Sequence, residues 1–295
     1  MKKIIQPCAL LTYTDIAISN IFLTESPDLC IRIYGDLHSE ISGNKSFKLS
    51  RFIKESKPEE ALVSFGGAWS NHLLALSAAA KKINRKTVGI IRGEEPSNYS
   101  PYLKAMQGNG MHLHFISRED FKEKESPQFI ATIREIFGPC YIIPEGGAGE
   151  KGVLGASAMV HENEDYDLVF LPGATGTTLA GVASKLRGFS TSVGCVQVLK
   201  GSNILRNELL RTAGLDIQSF KNVEIFEDFH FGGYAKKTKE LEDFQSKWFE
   251  KTGIPLDLVY GAKAMFGLLN LIKSGKYSEA KKILYLHTGG LGPSI

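Results

Sequence analysis

The feature that most constrains this chain is a recurring pair. A short, apolar, β-branched run ends at glycine, and a helical pattern follows it. Ala61-Leu62-Val63-Ser64-Phe65 stops at Gly66-Gly67, Thr87-Val88-Gly89-Ile90-Ile91 at Arg92-Gly93, and His112-Leu113-His114-Phe115-Ile116 at Ser117. Tyr141-Ile142-Ile143-Pro144 stops at Glu145-Gly146-Gly147, and Asp167-Leu168-Val169-Phe170-Leu171 at Pro172-Gly173. Val193-Gly194-Cys195-Val196-Gln197-Val198-Leu199 and Ile283-Leu284-Tyr285-Leu286-His287 follow. Amphipathic or alanine-rich stretches at 73–82, 121–136 and 179–186 read as helices between them. Buried strands alternating with helices predict parallel βαβ units, hence an α/β protein. The strands near 61–116 are expected to form one small sheet. Those near 141–199 and 283–287 are expected to form a second, with the N-terminal segment returning to it.

In open parallel sheets, ligands bind beyond the carboxyl ends of the strands. The glycine-terminated runs place 67–71, 173–178 and 288–290 at such edges, where three polar turns can converge on one cleft. Composition leaves few other uses for the chain. Its 295 residues suffice for two lobes. A formal charge of +3 with scattered lysines gives no nucleic-acid footprint. Cys8, Cys30, Cys140 and Cys195 lie far apart, with no zinc spacing and no disulfide framework, which fits a reducing cytoplasm. The opening Met1-Lys2-Lys3 is followed by a stretch broken by Gln6, Pro7 and Thr12, so it is not read as a signal peptide. No apolar run is long enough to span a bilayer.

Two motifs carry chemistry. Ser42-Gly43-Asn44-Lys45 reads as a capped helix start, with Phe47, Leu49, Phe52 and Ile53 on the apolar face. A lysine fixed there and partly desolvated has a freer amine for imine formation. Lys48, one turn on, is an equal candidate on these grounds. Gly173-Ala174-Thr175-Gly176-Thr177-Thr178 offers close backbone approach, free helix N–H groups and hydroxyls, which suits a phosphate. It lacks the lysine of a Walker A loop. Ser70-Asn71-His72 opens a helix after Gly66-Gly67. An amine, a phosphate cup and a polar turn together point to pyridoxal phosphate. The run 147–152 matches GxGxxG, but no acid ends a following strand about 20 residues on, so a structural turn is favoured. Tyr234 and Tyr260 sit beside glycines and could transfer protons near a cofactor. His112 and His114 alternate on one strand and read as an exposed face.

The motifs occur in one order along nearly the whole chain. Gly43-Asn44-Lys45 with Lys48-Leu49 comes first, then Gly66-Gly67 with Ser70-Asn71-His72. Pro144-Glu145-Gly146-Gly147 with Gly155 and Gly176-Thr177-Thr178-Leu179-Ala180-Gly181 follow. Val259-Tyr260 with Lys263-Ala264-Met265, and His287-Thr288-Gly289-Gly290, close the series. This pattern resembles the 1-aminocyclopropane-1-carboxylate (ACC) deaminase / D-cysteine desulfhydrase family, fold type II enzymes that use pyridoxal phosphate. The resemblance implies two α/β lobes with the cofactor between them, a smaller lobe at 50–156 and a larger one at 1–49 and 157–295. It implies that Lys45 is the Schiff-base lysine and that Asn71 meets the cofactor's phenolic oxygen. Ala174, Thr175, Gly176, Thr177 and Thr178 would hold the phosphate, and Thr288 would lie near the pyridine nitrogen. Ser70, Asn71 and His72 would meet the substrate, with Tyr260 and Tyr234 on the reactive face. A homodimer acting on a small amino acid is implied.

The sequence also departs from that pattern. Ile33-Tyr34-Gly35-Asp36 stands where the family commonly has Lys-Arg-Glu-Asp, and Phe47 stands in place of an arginine. Gly261 and Thr288 occupy positions where ACC deaminases have Glu and Leu. Thr288 is the residue of the desulfhydrase branch. The expected reaction is therefore α,β-elimination from a small amino acid, D-cysteine above all, giving pyruvate, ammonia and sulfide. ACC cleavage, β-replacement and racemisation are the alternatives on the same cofactor. A nucleotide-binding oxidoreductase using the 147–152 turn, or a non-catalytic small-ligand binder, are the alternatives of other classes.

Overall fold

A computed structural model describes residues 13–22 and 27–293. Cys8 and the N-terminal run 1–7 lie outside the described residues. The strands are β1 (Tyr13–Ala17), β2 (Asp28–Tyr34), β3 (Ala61–Gly66), β4 (Thr87–Arg92), β5 (Met111–Ile116), β6 (Cys140–Ile143), β7 (Leu168–Gly173), β8 (Ser192–Gln197), β9 (Val223–Phe226) and β10 (Lys282–Leu286). The helices are α1 (Ser19–Phe22), α2 (Asn44–Glu55), α3 (Asn71–Lys82), α4 (Pro101–Gly108), α5 (Pro127–Phe137), α6 (Glu150–Ser157), α7 (Thr177–Lys185), α8 (Ile204–Ala213), α9 (Lys239–Thr252) and α10 (Gly261–Lys273). One sheet has the order β1-β2-β10-β7-β8-β9, the other β5-β4-β3-β6. The pairings are parallel except β1 with β2.

Parallel strands covered on both faces should be apolar throughout. β3 and β7 are buried at every residue. Side chains alternate between the two faces with period two. On β7, Val169 and Leu171 join α7 and Leu205 in one core, while Leu168 and Phe170 join Trp248 and α10 in another. Leu62 of β3 packs with α3 and Met106, and Val63 and Phe65 pack with Ile133.

Three expectations need correction. The run near 141 belongs to the small sheet: β6 pairs with β3, Ala61 opposite Cys140 and Ser64 opposite Ile143. Sequence position placed it with its later neighbours, whereas register places it beside β3. The helix expected over 121–136 is broken. A short 3-10 turn at Asp120–Glu123 precedes α5, where Ser126 accepts the N–H of Phe129 at 3.2 Å and Pro127 occupies the first turn. Strands β1, β2 and β9 escaped sequence reading. β2 carries a buried Arg32 held by Asp15 at 2.7 Å and Glu164 at 2.5 Å, a charge that masks the strand's alternation.

In the GxGxxG-like run Gly152 is closely packed, and Gly155 just beyond it is as well. A Cβ on Gly152 would stand 1.8 Å from the Gly147 carbonyl oxygen, and one on Gly155 2.3 Å from that of Phe47. Gly155 lets α6 lie close against α2, and Gly152 lets it lie against the turn before it and the Thr177 methyl of α7. His112 is exposed and His114 half-buried, both beside Phe137. Cys30, Cys140 and Cys195 are free thiols. Among the described residues no helix is long and apolar enough to cross a membrane.

Candidate active site

Turns from the ends of β3, β7 and β10 meet at one cleft of about 510 Å3, and the start of α2 enters from the side. The entry is tight. The Asn44 N–H donates to the Thr288 carbonyl at 3.2 Å. Gly43 has φ +58°, and a Cβ there would stand 2.2 Å from the Thr288 carbonyl carbon. Only glycine allows that approach. The Ser42-Gly43-Asn44 cap is not formed as expected: Gly43 precedes the helix and no side chain caps it. The asparagine amide is used inside the site instead.

Lys45 Nζ donates to Asn44 Oδ1 at 2.7 Å, and Asn44 Nδ2 donates to Thr178 Oγ1 at 2.9 Å. Asn44 thus couples the lysine to the glycine-threonine turn. Burial lowers the Lys45 amine from 10.5 to about 8, with Asp257 pulling the other way. Lys48 also lines the cleft but is only 3% exposed. Burial and the neighbouring Lys45 push its amine well below the ordinary lysine value. Its stem lies against Gly147, where an added Cβ would be 3.5 Å from Lys48 Cε.

At the β3 edge, Ser70 Oγ accepts the Leu73 N–H at 3.2 Å and caps α3, which leaves its own proton free to donate. Asn71 lies alongside Gly290. His72 is buried. Ser64 Oγ donates to the Ile143 carbonyl and lies 2.8 Å from His72 Nε2, so that nitrogen carries the proton and Nδ1 is bare. Nδ1 is buried with no partner among the described residues. Burial, then Lys48 and Lys45, hold this imidazole neutral. His287 does a similar positioning task at the β10 edge. Its Nδ1 accepts the Gly289 N–H at 3.1 Å and its Nε2 lies 2.8 Å from the Pro255 carbonyl, which fixes buried Thr288 at the cleft wall.

The β7 edge offers backbone. Gly176 has φ +79°, and the first intrahelical bond of α7 runs from the Ala180 N–H to the Gly176 carbonyl. The N–H groups before it are free for an anion. Ala174, Thr175, Gly176 and Thr178 line the cleft. The Thr177 side chain does not. Its methyl packs toward Gly152 and its hydroxyl is buried with no partner among the described residues.

Tyr260 and Tyr234 both line the cleft, ring centres 6.1 Å apart at 67°. Burial, then Tyr234, push the Tyr260 hydroxyl upward. Asp257, absent from the sequence reading, anchors this face. It accepts the N–H groups of Val259, Tyr260 and Gly261 at 2.9, 2.7 and 2.9 Å. An acid just ahead of a helical run is a capping signal that could have found it. Trp69 was also missed, although a lone tryptophan in a polar turn is unusual. It lines the cleft and is 62% exposed. Tyr34 and Phe47, two of the departures from the family pattern, pack on each other in the core, rings 5.0 Å apart, and neither lines the cleft.

An amine with a lowered pKa and free helix N–H groups form a donor set that fits an anionic aldehyde cofactor. Among the described residues no cluster of metal-ligating side chains stands in its place. A family model described as pyridoxal-phosphate dependent enzyme matches residues 34–289. The bifunctional D-cysteine desulfhydrase/1-aminocyclopropane-1-carboxylate deaminase of Arabidopsis thaliana is 28% identical, covering 85% of this chain and 69% of that protein. The 1-aminocyclopropane-1-carboxylate deaminase of Bradyrhizobium diazoefficiens is 28% identical over 84% of this chain and 82% of its own length. A solved structure of an ACC deaminase homologue superposes with a TM-score of 0.72 at 25% identity, covering 96% of this chain and 90% of that one.

Proposed function

The chain belongs to the pyridoxal-phosphate dependent enzyme family and is homologous to ACC deaminases and D-cysteine desulfhydrases, and we propose that it is a lyase removing a β-substituent from a small amino acid, D-cysteine in the first instance. The observation that carries this reading is the Lys45–Asn44–Thr178 chain, which sets an easily deprotonated amine beside the anion-binding turn.

In this reading Lys45 holds the cofactor's aldehyde carbon, Asn71 its phenolic oxygen, the 174–178 turn its phosphate, and Thr288 faces its pyridine nitrogen. The bound cofactor supplies an electron sink for the pair released when Cα loses its proton. The chain's own residues do the rest. The freed Lys45 amine takes the Cα proton, since near pH 8 half of it is neutral in the folded protein. The Ser70 hydroxyl, its lone pair already committed to the α3 cap, donates to the substrate carboxylate. Asn71 and neutral His72 complete that side. Tyr260, held by Asp257, and Tyr234 supply hydroxyls on the reactive face.

Gly261 and Thr288 favour elimination over ring opening. A carboxylate near the pyridine nitrogen would keep the ring protonated and deepen the sink. A neutral hydroxyl does not. D-cysteine should therefore release pyruvate and sulfide, with little or no 2-oxobutanoate from ACC. Keto-acid assays on each compound test this; faster turnover of ACC would overturn it. The lobe division at 50–156 against 1–49 and 157–295, a homodimer and a cytoplasmic location are parts of the same proposal.

A further inference from the structure

The cleft exposes an aromatic wall that elimination from D-cysteine leaves unused. Trp69 is 62% exposed although it stands next to Ser70. It is not a loose side chain, because its ring lies 5.6 Å from that of Tyr102 at 59°. Tyr102 is fixed in turn: an added Cβ on Gly292 would meet its hydroxyl at 2.4 Å. Burial, then Asp257 and Tyr234, push the Tyr102 hydroxyl upward, so it lies within electrostatic reach of the Tyr234–Tyr260 pair. Tyr234 is itself 55% exposed. Aromatic rings from both sheets therefore border the space beside Ser70.

The charges around this wall narrow what it can cover. Arg92 and Arg211 line the same cleft and oppose a cationic side chain. Glu125 and Glu208 line it too, paired with Arg211, and Glu145 is paired with Lys124, so these charges are matched among themselves. A thiol is too small to cover an indole. A neutral planar group fits, since aromatic rings gain by stacking and by leaving water.

We propose that Trp69, backed by Tyr102 and lining the same cleft as Tyr234, makes this enzyme selective for cysteine thioethers with a planar aromatic S-substituent, such as S-benzyl-cysteine. The inference rests on the elimination reading above and names its substrate class. The Cα–H electron pair becomes the Cα–Cβ double bond, and its proton goes to the enzyme base. The Cβ–S bond breaks with its pair on sulfur, and the thiolate takes up a proton. Water then hydrolyses the released enamine, through its imine, to pyruvate and ammonia.

The test uses holoenzyme with each enantiomer of S-benzyl-cysteine and with D-cysteine. S-benzyl-cysteine should show the higher kcat/KM, by about tenfold. Trp69→Ala should lower the ratio of the two kcat/KM values by about tenfold, and Trp69→Phe should keep most of it. A second readout does not need turnover. The protein has two tryptophans, and Trp248 is fully buried in the core. S-benzyl-cysteine should shift tryptophan emission to the blue, D-cysteine should not, and Trp69→Phe should abolish the shift. Turnover of D-cysteine without S-benzyl-cysteine, or an unchanged ratio in Trp69→Ala, would overturn the inference. So would a blue shift produced by protein concentration alone, which would make the wall a contact between copies. If neither compound reacts although cofactor is bound, the elimination reading fails. The emission shift then decides the inference alone, its presence supporting the aromatic subsite and its absence overturning it.

Discussion

The turn after β7 and the turn after β3 both leave a fully buried strand at glycine, and then diverge. After β7 the chain offers main-chain N–H groups and small side chains, and Thr177 even turns its methyl away from the cleft. After β3 it offers side chains: Trp69, Ser70, Asn71 and His72. The difference separates two tasks. A phosphate is bound well by backbone at a helix start, whatever the side chains. A substrate must be distinguished and deprotonated, which needs chemically distinct groups. The two turns should therefore respond to mutation in opposite ways.

The largest effect is expected on the β3 side. Ser70→Ala should lower kcat/KM by about 10²-fold while cofactor content stays near that of the parent, as measured by steady-state kinetics beside absorbance. On the β7 side the backbone should matter more than the hydroxyls. Gly176→Ala puts a Cβ 2.7 Å from Leu209 Cγ at a positive φ, and should cost about 2–4 kcal/mol of stability in denaturant titration. Replacing both Thr177 and Thr178 by Val should weaken cofactor retention by only about 1–3 kcal/mol. If the double Val variant proved worse than Gly176→Ala, the division between backbone and side chain would be lost.

A smaller effect concerns the amine between the turns. In the cofactor-free protein, Lys45 should react with amine reagents with a midpoint near pH 8. Asp257→Asn removes the charge that raises this value, so the midpoint should fall. The same shift has a stability consequence of defined sign. The folded amine releases its proton near 8 and the unfolded one near 10.5, so the unfolded chain binds more protons between those values. Stability of the cofactor-free protein should rise with pH across that window, and Lys45→Ala should flatten the rise.

What was legible in the sequence follows the same physics. Glycine-terminated apolar runs revealed seven strands, and the convergence of three polar edges on one cleft followed from parallel topology. Residues recognised by local pattern, Lys45, Ser70 and the 173–178 turn apart from Thr177, line the cleft. What escaped depends on distant partners. β2 hid behind Arg32, whose partners Asp15 and Glu164 are remote in sequence. β6 could be assigned only by its register with β3. Thr177 faces inward because Gly152 of another helix lies against it. His72 is open at Nδ1 because Ser64, on a neighbouring strand, accepts its Nε2 proton in a hydrogen bond, and it is neutral because burial, Lys48 and Lys45 oppose its charge.

The choice between Lys45 and Lys48 is the point on which everything else turns. Both line the cleft, both have lowered pKa values, and one helical turn separates them. Borohydride reduction of the holoenzyme, followed by peptide mapping, reads that choice directly by fixing the cofactor to the lysine that holds it. The cofactor mass should appear on Lys45, with the visible absorption band lost. Cofactor mass on Lys48, with Lys45 unmodified, would contradict the account.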